Sequence, residues 1–266
     1  SENVANLVRR VGEAMLPTGK RFELICIDDG SSDDSAQRLA DLAKVRDWLR
    51  PLYRMRNYGQ TAALQAGFEA AQGKLIVTLD GDLQNDPDDI PALLEMMDER
   101  ADVDMISGWR KDRKDKSISR KLPSKIANGL ISWATGVELH DYGCALKVYR
   151  REILDGIQTH GVHGDMHRFL PAFAAAVGAR IAELPVSHSP RRGGRSKYGL
   201  LRSAIVLVDM ISIRFLLPYS FKPLKIFGLL GVFLFALGGA INLYLAYIKI
   251  FAGAAQGEEG DIIFVQ

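Results

Sequence analysis

An Asp-x-Asp triplet is the feature of this sequence with the clearest chemical potential. Asp80 and Asp82, separated by Gly81, follow the apolar run 75–79, and Gln84 comes two residues later. Carboxylate oxygens at this spacing suit a magnesium or manganese ion that also takes phosphate oxygens of a substrate. Loops are rich in Asp, so an ordinary acidic turn is the alternative interpretation. The position directly after a strand favours the metal site.

A second acidic cluster, Asp28-Asp29-Gly30-Ser31, follows the apolar run 22–27. One interpretation is an Asp-Gly turn that leads into the next helix, with a Ser or Asp side chain as its N-cap. The other is a carboxylate that hydrogen-bonds the base or ribose of a nucleotide. The residues by themselves leave both open.

The elements that must position these clusters alternate between strand and helix. Apolar runs predict strands at 22–27, 52–55, 75–79, 103–107, 145–149 and 180–186. Helical spacing predicts helices at 1–15, 33–45, 60–71, 88–99, 122–134, 165–177 and 200–217. This alternation is typical of βαβ units and predicts an α/β fold with a mostly parallel sheet. Such sheets bind ligands beyond the carboxyl ends of their strands, which is where both acidic clusters fall.

Composition excludes several classes of protein. The chain has 266 residues, 25% charged and 47% hydrophobic, with a formal net charge of +2. These values are those of an ordinary globular protein and argue against a globally basic nucleic-acid binder. The two cysteines, Cys26 and Cys144, provide neither a disulfide framework nor a zinc-binding cluster.

The C-terminal part of the chain predicts a membrane anchor. Residues 226–248 form a run of 23 uncharged residues, which as a helix would span roughly 34 Å, enough for the hydrocarbon core. Residues 186–225 hold eight Lys or Arg and one acid, Asp209, so the helix at 200–217 suits anionic headgroups. Because Lys222 and Lys225 precede the run and acids follow it, we expect the preceding domain to face the cytoplasm.

Six segments in order resemble family-2 glycosyltransferases of the GT-A fold, in particular the polyprenyl-phosphate glycosyltransferases. They are IDDGSSDDS (27–35), RNYGQTAALQAG (56–67), LDGDLQNDP (79–87), Gly108-x-Arg110-x-x-Arg113, DYGCALK (141–147) and HSPRRGGRSKY (188–198). The resemblance covers residues 1 to about 200. The family's first strand and its Pro-x-x-Asn-Glu turn are not in the chain, and we expect them upstream of Ser1. Gly81 stands where Ala is common in the family.

The resemblance implies a donor site and a metal. Asp28 and Asp29 would contact the nucleoside, and Asp80 would lie near the diphosphate and the sugar. Asp82 and Gln84 would bind Mg²⁺ or Mn²⁺, which would neutralise charge on the leaving diphosphate. Two further residues would shape the nucleotide pocket without a catalytic part, Asn57 and Gly59.

It also implies a site for a lipid phosphate acceptor, which is largely dianionic at neutral pH. Such an acceptor needs positioning against the negatively charged donor more than it needs a general base, and basic side chains suit that task. The candidates for the phosphate are Arg110, Arg113, Arg191, Ser196 and Lys197. Asp141 is the candidate catalytic base or acceptor-orienting carboxylate, beside Asp80 and Asp82 as catalytic residues. An ordinary loop Asp before a strand is the alternative for Asp141.

We therefore expect a metal-dependent, inverting sugar transferase that uses a UDP-glucose-like or GDP-mannose-like donor and a polyprenyl phosphate. The predicted parts are a GT-A catalytic domain at 1–198, a juxtamembrane interfacial helix at 199–224, a transmembrane helix at 225–250 and an extracytoplasmic segment at 251–266 that could begin a second span. The expected place is the bacterial inner membrane, with the donor, the lipid and the membrane as partners, no nucleic acid, and self-association left open. A processive polysaccharide synthase, a haloacid-dehalogenase phosphatase and a non-catalytic membrane-tethered module remain as alternatives.

Overall fold

A computed structural model describes residues 2–111, 129, 132, 136–158, 166–189 and 223–249, and divides the chain into two units, 1–217 and 218–266. The described strands of the first unit are β1 (Leu24–Asp28), β2 (Leu49–Tyr53), β3 (Leu75–Thr78), β4 (Met105–Trp109), β5 (Lys147–Arg150) and β6 (Ile181–Pro185). Its described α-helices are α1 (Glu2–Met15), α2 (Ser35–Ala43), α3 (Gln60–Ala70), α4 (Ile90–Glu99), α5 (Arg151–Gln158) and α6 (Leu170–Ala176). Short 3-10 helices occupy Leu16–Thr18, Pro87–Asp89 and Met166–Phe169.

The strands form two sheets, one of which is mixed. β1 pairs with β2 in parallel, and the other sheet has the order β3-β5-β4-β6. β5 is antiparallel to both β3 and β4, whereas β4 and β6 are parallel. The predicted mostly parallel sheet is therefore corrected to a mixed one. An apolar run marks a strand but not its direction, and β5 runs back between β3 and β4.

Side-chain alternation along the central strands builds a core on each face of the mixed sheet. Met105 of β4 and Tyr149 of β5 belong to one cluster, together with Phe173 of α6 and Phe169, which directly precedes α6. Their strand neighbours Ile106 and Val148 belong to the other cluster, with Val11 of α1 and Leu93 of α4. All eight side chains are less than 9% exposed. Covering on both faces explains why these strands appear in the sequence as continuous apolar runs.

Most predicted elements of the first unit are present, with shifted ends. The strand predicted at 52–55 is β2, Leu49–Tyr53, and Pro51 within it pairs with Cys26 of β1. Arg50 and Pro51 interrupt the apolar run, which moved the prediction towards the C-terminus. α5 was not predicted, because it begins directly where β5 ends. The helices predicted at 122–134 and 200–217 lie outside the described residues, apart from 129 and 132.

The described part of the second unit is α7, Pro223–Tyr247, followed by residues 248 and 249. Its described side chains are mainly apolar and exposed, and Phe235 is 85% exposed. Side chains at 223–227 and at 230 are outside the description. Within the residues described, no helix satisfies both the length and the apolar character needed to cross a membrane. The transmembrane helix at 225–250 therefore stays a prediction.

Candidate active site

The Asp-x-Asp segment is a tight turn directly after β3. The Gln84 backbone N–H donates to Asp82 Oδ1 at 3.1 Å, which closes the turn around Leu83. Leu83 has a φ of +58°, and among the described residues it is the one non-glycine residue with a positive φ. Its side chain is 6% exposed. A buried leucine in this left-handed conformation is strained, and such strain persists where the surrounding structure fixes a turn.

The donor atoms at this turn fit a metal ion that is shared with a substrate. Asp80, Asp82 and Gln84 are half-buried and offer hard oxygen ligands. In the described ranges no group of three His, Cys, Asp or Glu side chains is arranged to hold a metal ion. Magnesium is commonly held by one or two carboxylates together with substrate phosphates and water, rather than by a protein cage. The residues therefore fit the predicted ion, which would complete its ligands from a phosphorylated substrate.

Asp28 and Asp29 follow β1 and have different surroundings. Asp28 is 8% exposed, and its Oδ1 accepts a hydrogen bond from the Ser31 backbone N–H at 3.1 Å. Asp29 accepts from the backbone N–H of Gly59 at 2.8 Å and from Arg54 Nη1 at 3.1 Å. It also accepts from the Tyr58 backbone N–H. Asp29 therefore holds together the turns that follow β1 and β2.

A close backbone approach makes the same connection. Gly30 has a φ of +74°, and a Cβ at this position would lie 2.6 Å from the Arg56 carbonyl carbon. Gly59, also at positive φ, donates its N–H to Asn57 Oδ1 at 3.1 Å. The structure thus brings Asp28, Asp29, Asn57 and Gly59 to neighbouring turns. Their assignment to a donor site, which the resemblance implies, stays a prediction.

Gln60 links the turns after β1 and β2 to the Asp-x-Asp turn. It is the first residue of α3, directly after Gly59, and its Nε2 donates to Asp80 Oδ1 at 2.8 Å. The turns that follow β1, β2 and β3 are therefore joined by a chain of hydrogen bonds through Asp29, Gly59 and Gln60. Sequence reasoning did not predict this role of Gln60, although Gln60 lies in the RNYGQ segment that resembles the family.

Arg110 and Asp141 form a buried, two-pronged ion pair. Arg110 Nε donates to Asp141 Oδ2 at 2.6 Å, and Nη2 donates to Oδ1 at 2.8 Å. Their side chains are only 10% and 7% exposed. Burial disfavours the charged guanidinium, but the carboxylate outweighs it, and the pKa of Arg110 is raised. The structure thus brings these two predicted site residues together as hydrogen-bonded partners.

The loop from 141 to 147, which contains Asp141, is fixed from the sheet below it. Lys147 is 4% exposed, and its ammonium donates to the backbone carbonyls of Tyr142 and Cys144. Thr78 of β3 donates its hydroxyl to the Ala145 carbonyl at 2.7 Å. Burial lowers the pKa of Lys147. Sequence reasoning included Lys147 only as the end of DYGCALK; a lysine inside an apolar strand pattern was the available signal.

The remaining acceptor candidates, Arg113, Arg191, Ser196 and Lys197, lie outside the described residues. In the sequence, the described residues nearest to the last three of these candidates are 187–189. There the Ser189 N–H donates to the Gln84 carbonyl at 2.9 Å, beside the Asp-x-Asp turn.

Comparison with known proteins identifies the family. Residues 1–157 match Glycosyl transferase family 2. The chain belongs to this family. A dodecaprenyl-phosphate galacturonate synthase of Rhizobium johnstonii is 46% identical over 261 residues, which are 95% of this chain and 74% of that protein. An undecaprenyl-phosphate 4-deoxy-4-formamido-L-arabinose transferase of Klebsiella pneumoniae is 37% identical over 261 residues, 97% of this chain and 76% of that one.

Solved structures confirm the GT-A α/β fold for this family-2 glycosyltransferase. Mannosyl-3-phosphoglycerate synthase from Rubrobacter xylanophilus superposes with a TM-score of 0.60 and 15% identity, covering 82% of this chain and 70% of that one. A Pyrobaculum calidifontis mannosyltransferase, in complex with GDP-Man and Mn²⁺, has a TM-score of 0.53 and 17% identity, covering 94% and 79%. At these identities the likeness concerns the fold.

Proposed function

We propose that this family-2 glycosyltransferase transfers a sugar from a nucleotide-sugar donor to a polyprenyl phosphate. The observation that carries the proposal is the joining of three strand-end turns by Asp29, Gly59 and Gln60, next to the Asp-x-Asp turn. This arrangement suits one ligand that extends from a nucleoside at Asp28 to a diphosphate at Asp80. The acceptor class follows from the two relatives, whose names specify dodecaprenyl and undecaprenyl phosphate.

The site divides its work between donor and acceptor. Asp28 binds the nucleoside, and Asp29 shapes the turns around it. Asp82 and Gln84 would hold a Mg²⁺ or Mn²⁺ ion, with Asp80 beside the diphosphate and sugar. When bound, that ion neutralises charge on the leaving nucleoside diphosphate. The Pyrobaculum calidifontis mannosyltransferase of this fold was solved in complex with GDP-Man and Mn²⁺, which supports the choice of ion for this chain.

Arg110 and Asp141 serve the acceptor in this mechanism. Asp141 engages Nε and Nη2 of Arg110, so it orients the guanidinium, whose remaining nitrogen is Nη1. A lipid phosphate is largely dianionic at neutral pH and already nucleophilic. It therefore needs alignment with the anomeric carbon more than removal of a proton. Arg113, Arg191, Ser196 and Lys197 complete the phosphate site, and a single displacement inverts the anomeric carbon.

The acceptor lipid also places the reaction at a membrane. Its phosphate lies at the headgroup level, because the long prenyl chain stays in the bilayer. We propose that the helix at 199–224 lies at the interface and that 225–250 spans the inner membrane. The catalytic domain, 1–198, then faces the cytoplasm, where nucleotide sugars are made.

The experiment that tests this function is a donor panel on the full chain with undecaprenyl phosphate as acceptor. The panel contains UDP- and GDP-linked hexoses and the nucleotide-linked forms of galacturonic acid and 4-deoxy-4-formamido-L-arabinose. We expect release of nucleoside diphosphate only when the lipid is present, and one sugar per lipid with inverted configuration by NMR. A polymer as product would identify a processive synthase. No release with any donor would reject the transferase function.

A further inference from the structure

One buried asparagine, Asn85, follows the Asp-x-Asp turn and contacts the 141–147 loop through its side chain and the segment 187–189 through its backbone. We propose that Asn85 is a positioning residue that keeps the donor and acceptor halves of the site in register. The inference deepens the transferase function proposed above and rests on it. Asn85 is not among the candidate donor, metal or acceptor residues.

The side chain of Asn85 connects the Asp-x-Asp turn to the 141–147 loop. Asn85 is 3% exposed, and its Nδ2 donates to Cys144 Sγ at 3.3 Å. Cys144 is 1% exposed, and burial raises the pKa of its thiol, so the sulfur stays neutral. The same loop carries Asp141, the partner of Arg110. Asn85, the neighbour of the predicted metal ligand Gln84, is therefore hydrogen-bonded to the loop that contains Asp141.

The backbone of Asn85 connects the turn to the segment 187–189. Asn85 and His188 form an isolated antiparallel bridge. On one side of it the Ser189 N–H donates to the Gln84 carbonyl at 2.9 Å, and on the other the Ser187 N–H donates to Asp89 Oδ2 at 2.7 Å. The segment 187–189 is thus attached to the Asp-x-Asp turn and to the residues that follow it.

Geometry gives this attachment a consequence for the reaction. Donor diphosphate and acceptor phosphate repel each other, so transfer depends on protein contacts that hold both in line. A displacement of about 1 Å at such a site can cost about a hundredfold in rate. Burying the Asn85 amide costs desolvation free energy, and its hydrogen bond to Cys144 offsets only part of that cost. Its directional contacts fix the relative placement of the loops.

The test compares Asn85→Ala, Cys144→Ala and the double variant with a matched control, Ile157→Val, in the full chain. Ile157 is 2% exposed and lies in the core cluster of Met105 and Tyr149, whereas Cys144 lies in the cluster on the other face of the sheet. The control therefore removes buried volume without changing Asn85 or Cys144. For Asn85→Ala we expect kcat to fall about tenfold or more and acceptor KM to rise, with donor Kd changed by less than about twofold. The double variant should lose no more than Asn85→Ala alone.

Two results would overturn the proposal. The first is an Asn85→Ala enzyme whose kcat and acceptor KM match those of Ile157→Val at equal loss of thermal stability, which would make Asn85 a packing residue only. The second is a double variant whose losses are the product of the single ones. Cys144→Ser keeps an acceptor for the amide and should retain more activity than Cys144→Ala.

Hydrogen exchange separates this proposal from the function on which it rests. In Asn85→Ala the amides of Ser187 and Ser189 should exchange about tenfold faster than in the unmodified chain, whatever reaction the site performs. Faster exchange in a protein that transfers no sugar would reject the transferase function and keep the positioning role. Unchanged exchange at both amides would reject the positioning role itself.

Discussion

At the scale of single residues, the site assigns different work to side chains that look alike in the sequence. Asp28, Asp29 and Asp141 are three acids in loops, yet their partners differ. Asp28 accepts from the backbone of its own turn, Asp29 joins two turns, and Asp141 binds an arginine through both oxygens. Residue type indicated the chemistry of the candidate site, and the partners show that the three acids have different structural surroundings.

The role of Asp82 as metal ligand is tested by Asp82→Asn. We expect turnover to fall by at least about a hundredfold, because a site with few carboxylates loses both affinity and geometry when one is neutralised. Turnover should also depend on added Mg²⁺ or Mn²⁺. Initial rates across a metal titration measure both effects. Full activity of Asp82→Asn, or of the unmodified enzyme in EDTA, would contradict the assignment.

The pair of Arg110 and Asp141 gives a prediction that separates orientation from base catalysis. Asp141→Asn and Arg110→Ala should each lower turnover, and the combined variant should be no slower than the slower single one. Each single change leaves a buried partner unmatched, at about 3–5 kcal/mol of stability, so thermal unfolding must be followed in parallel. The pH profile of kcat decides between the roles. If the acidic limb of the kcat profile is lost in Asp141→Asn and kept in Arg110→Ala, Asp141 acts as a base.

At the scale of elements, strand ends and the turns after them carry the site. β1, β2 and β3 each end in a turn that contributes to it, and β5 begins at the buried Lys147 under the 141–147 loop. The helices contribute through their ends, as α3 does with Gln60. Rigid strands therefore hold groups on loops, where a substrate can reach them.

Gly30 gives the prediction at this scale. Gly30→Ala should weaken donor binding about tenfold or more, because a Cβ 2.6 Å from the Arg56 carbonyl carbon would push the β1 and β2 turns apart. Gly19→Ala is the matched control. Gly19 has a similar φ of +66°, but a Cβ there would meet nothing within 4 Å. Calorimetry of donor binding compares the two variants, and equal effects would mean that backbone strain alone, not the close approach, matters.

At the scale of the whole molecule, a donor domain and an apolar C-terminal helix occur in one chain. The first unit contains the described strands and the candidate donor residues, and the second contains α7 with its exposed apolar side chains. In the sequence, basic residues concentrate at 191–225, directly before the apolar run 226–248. This order suits an enzyme with a water-soluble donor and a lipid acceptor.

Arg191→Ala and Lys197→Ala test that division of labour. Each should raise the acceptor KM or lower turnover about tenfold or more, because each removes a charged contact to the lipid phosphate. Donor affinity should change little. Kinetics with undecaprenyl phosphate in vesicles and calorimetry with the donor provide the two measurements. Loss of donor binding with unchanged acceptor dependence would assign Arg191 and Lys197 to the nucleotide site instead.

Local signals in the sequence were sufficient for the α/β class and for the resemblance to family-2 glycosyltransferases. Short segments such as LDGDLQNDP and apolar runs of fixed period can be recognised without knowledge of contacts. The donor-binding roles of Asp28, Asp29, Asn57 and Gly59 followed from the resemblance and stay predictions. Arg113, Arg191, Ser196 and Lys197 stay predictions.

Strand directions and the contact partners of the polar side chains required the folded structure. The antiparallel course of β5, the pairing of Arg110 with Asp141 and the contact of Asn85 with Cys144 join residues that are distant in sequence. The contacts of a polar side chain depend on which loops the sheet order brings together. No local pattern encodes that order, because the burial that fixes it is a property of the folded chain.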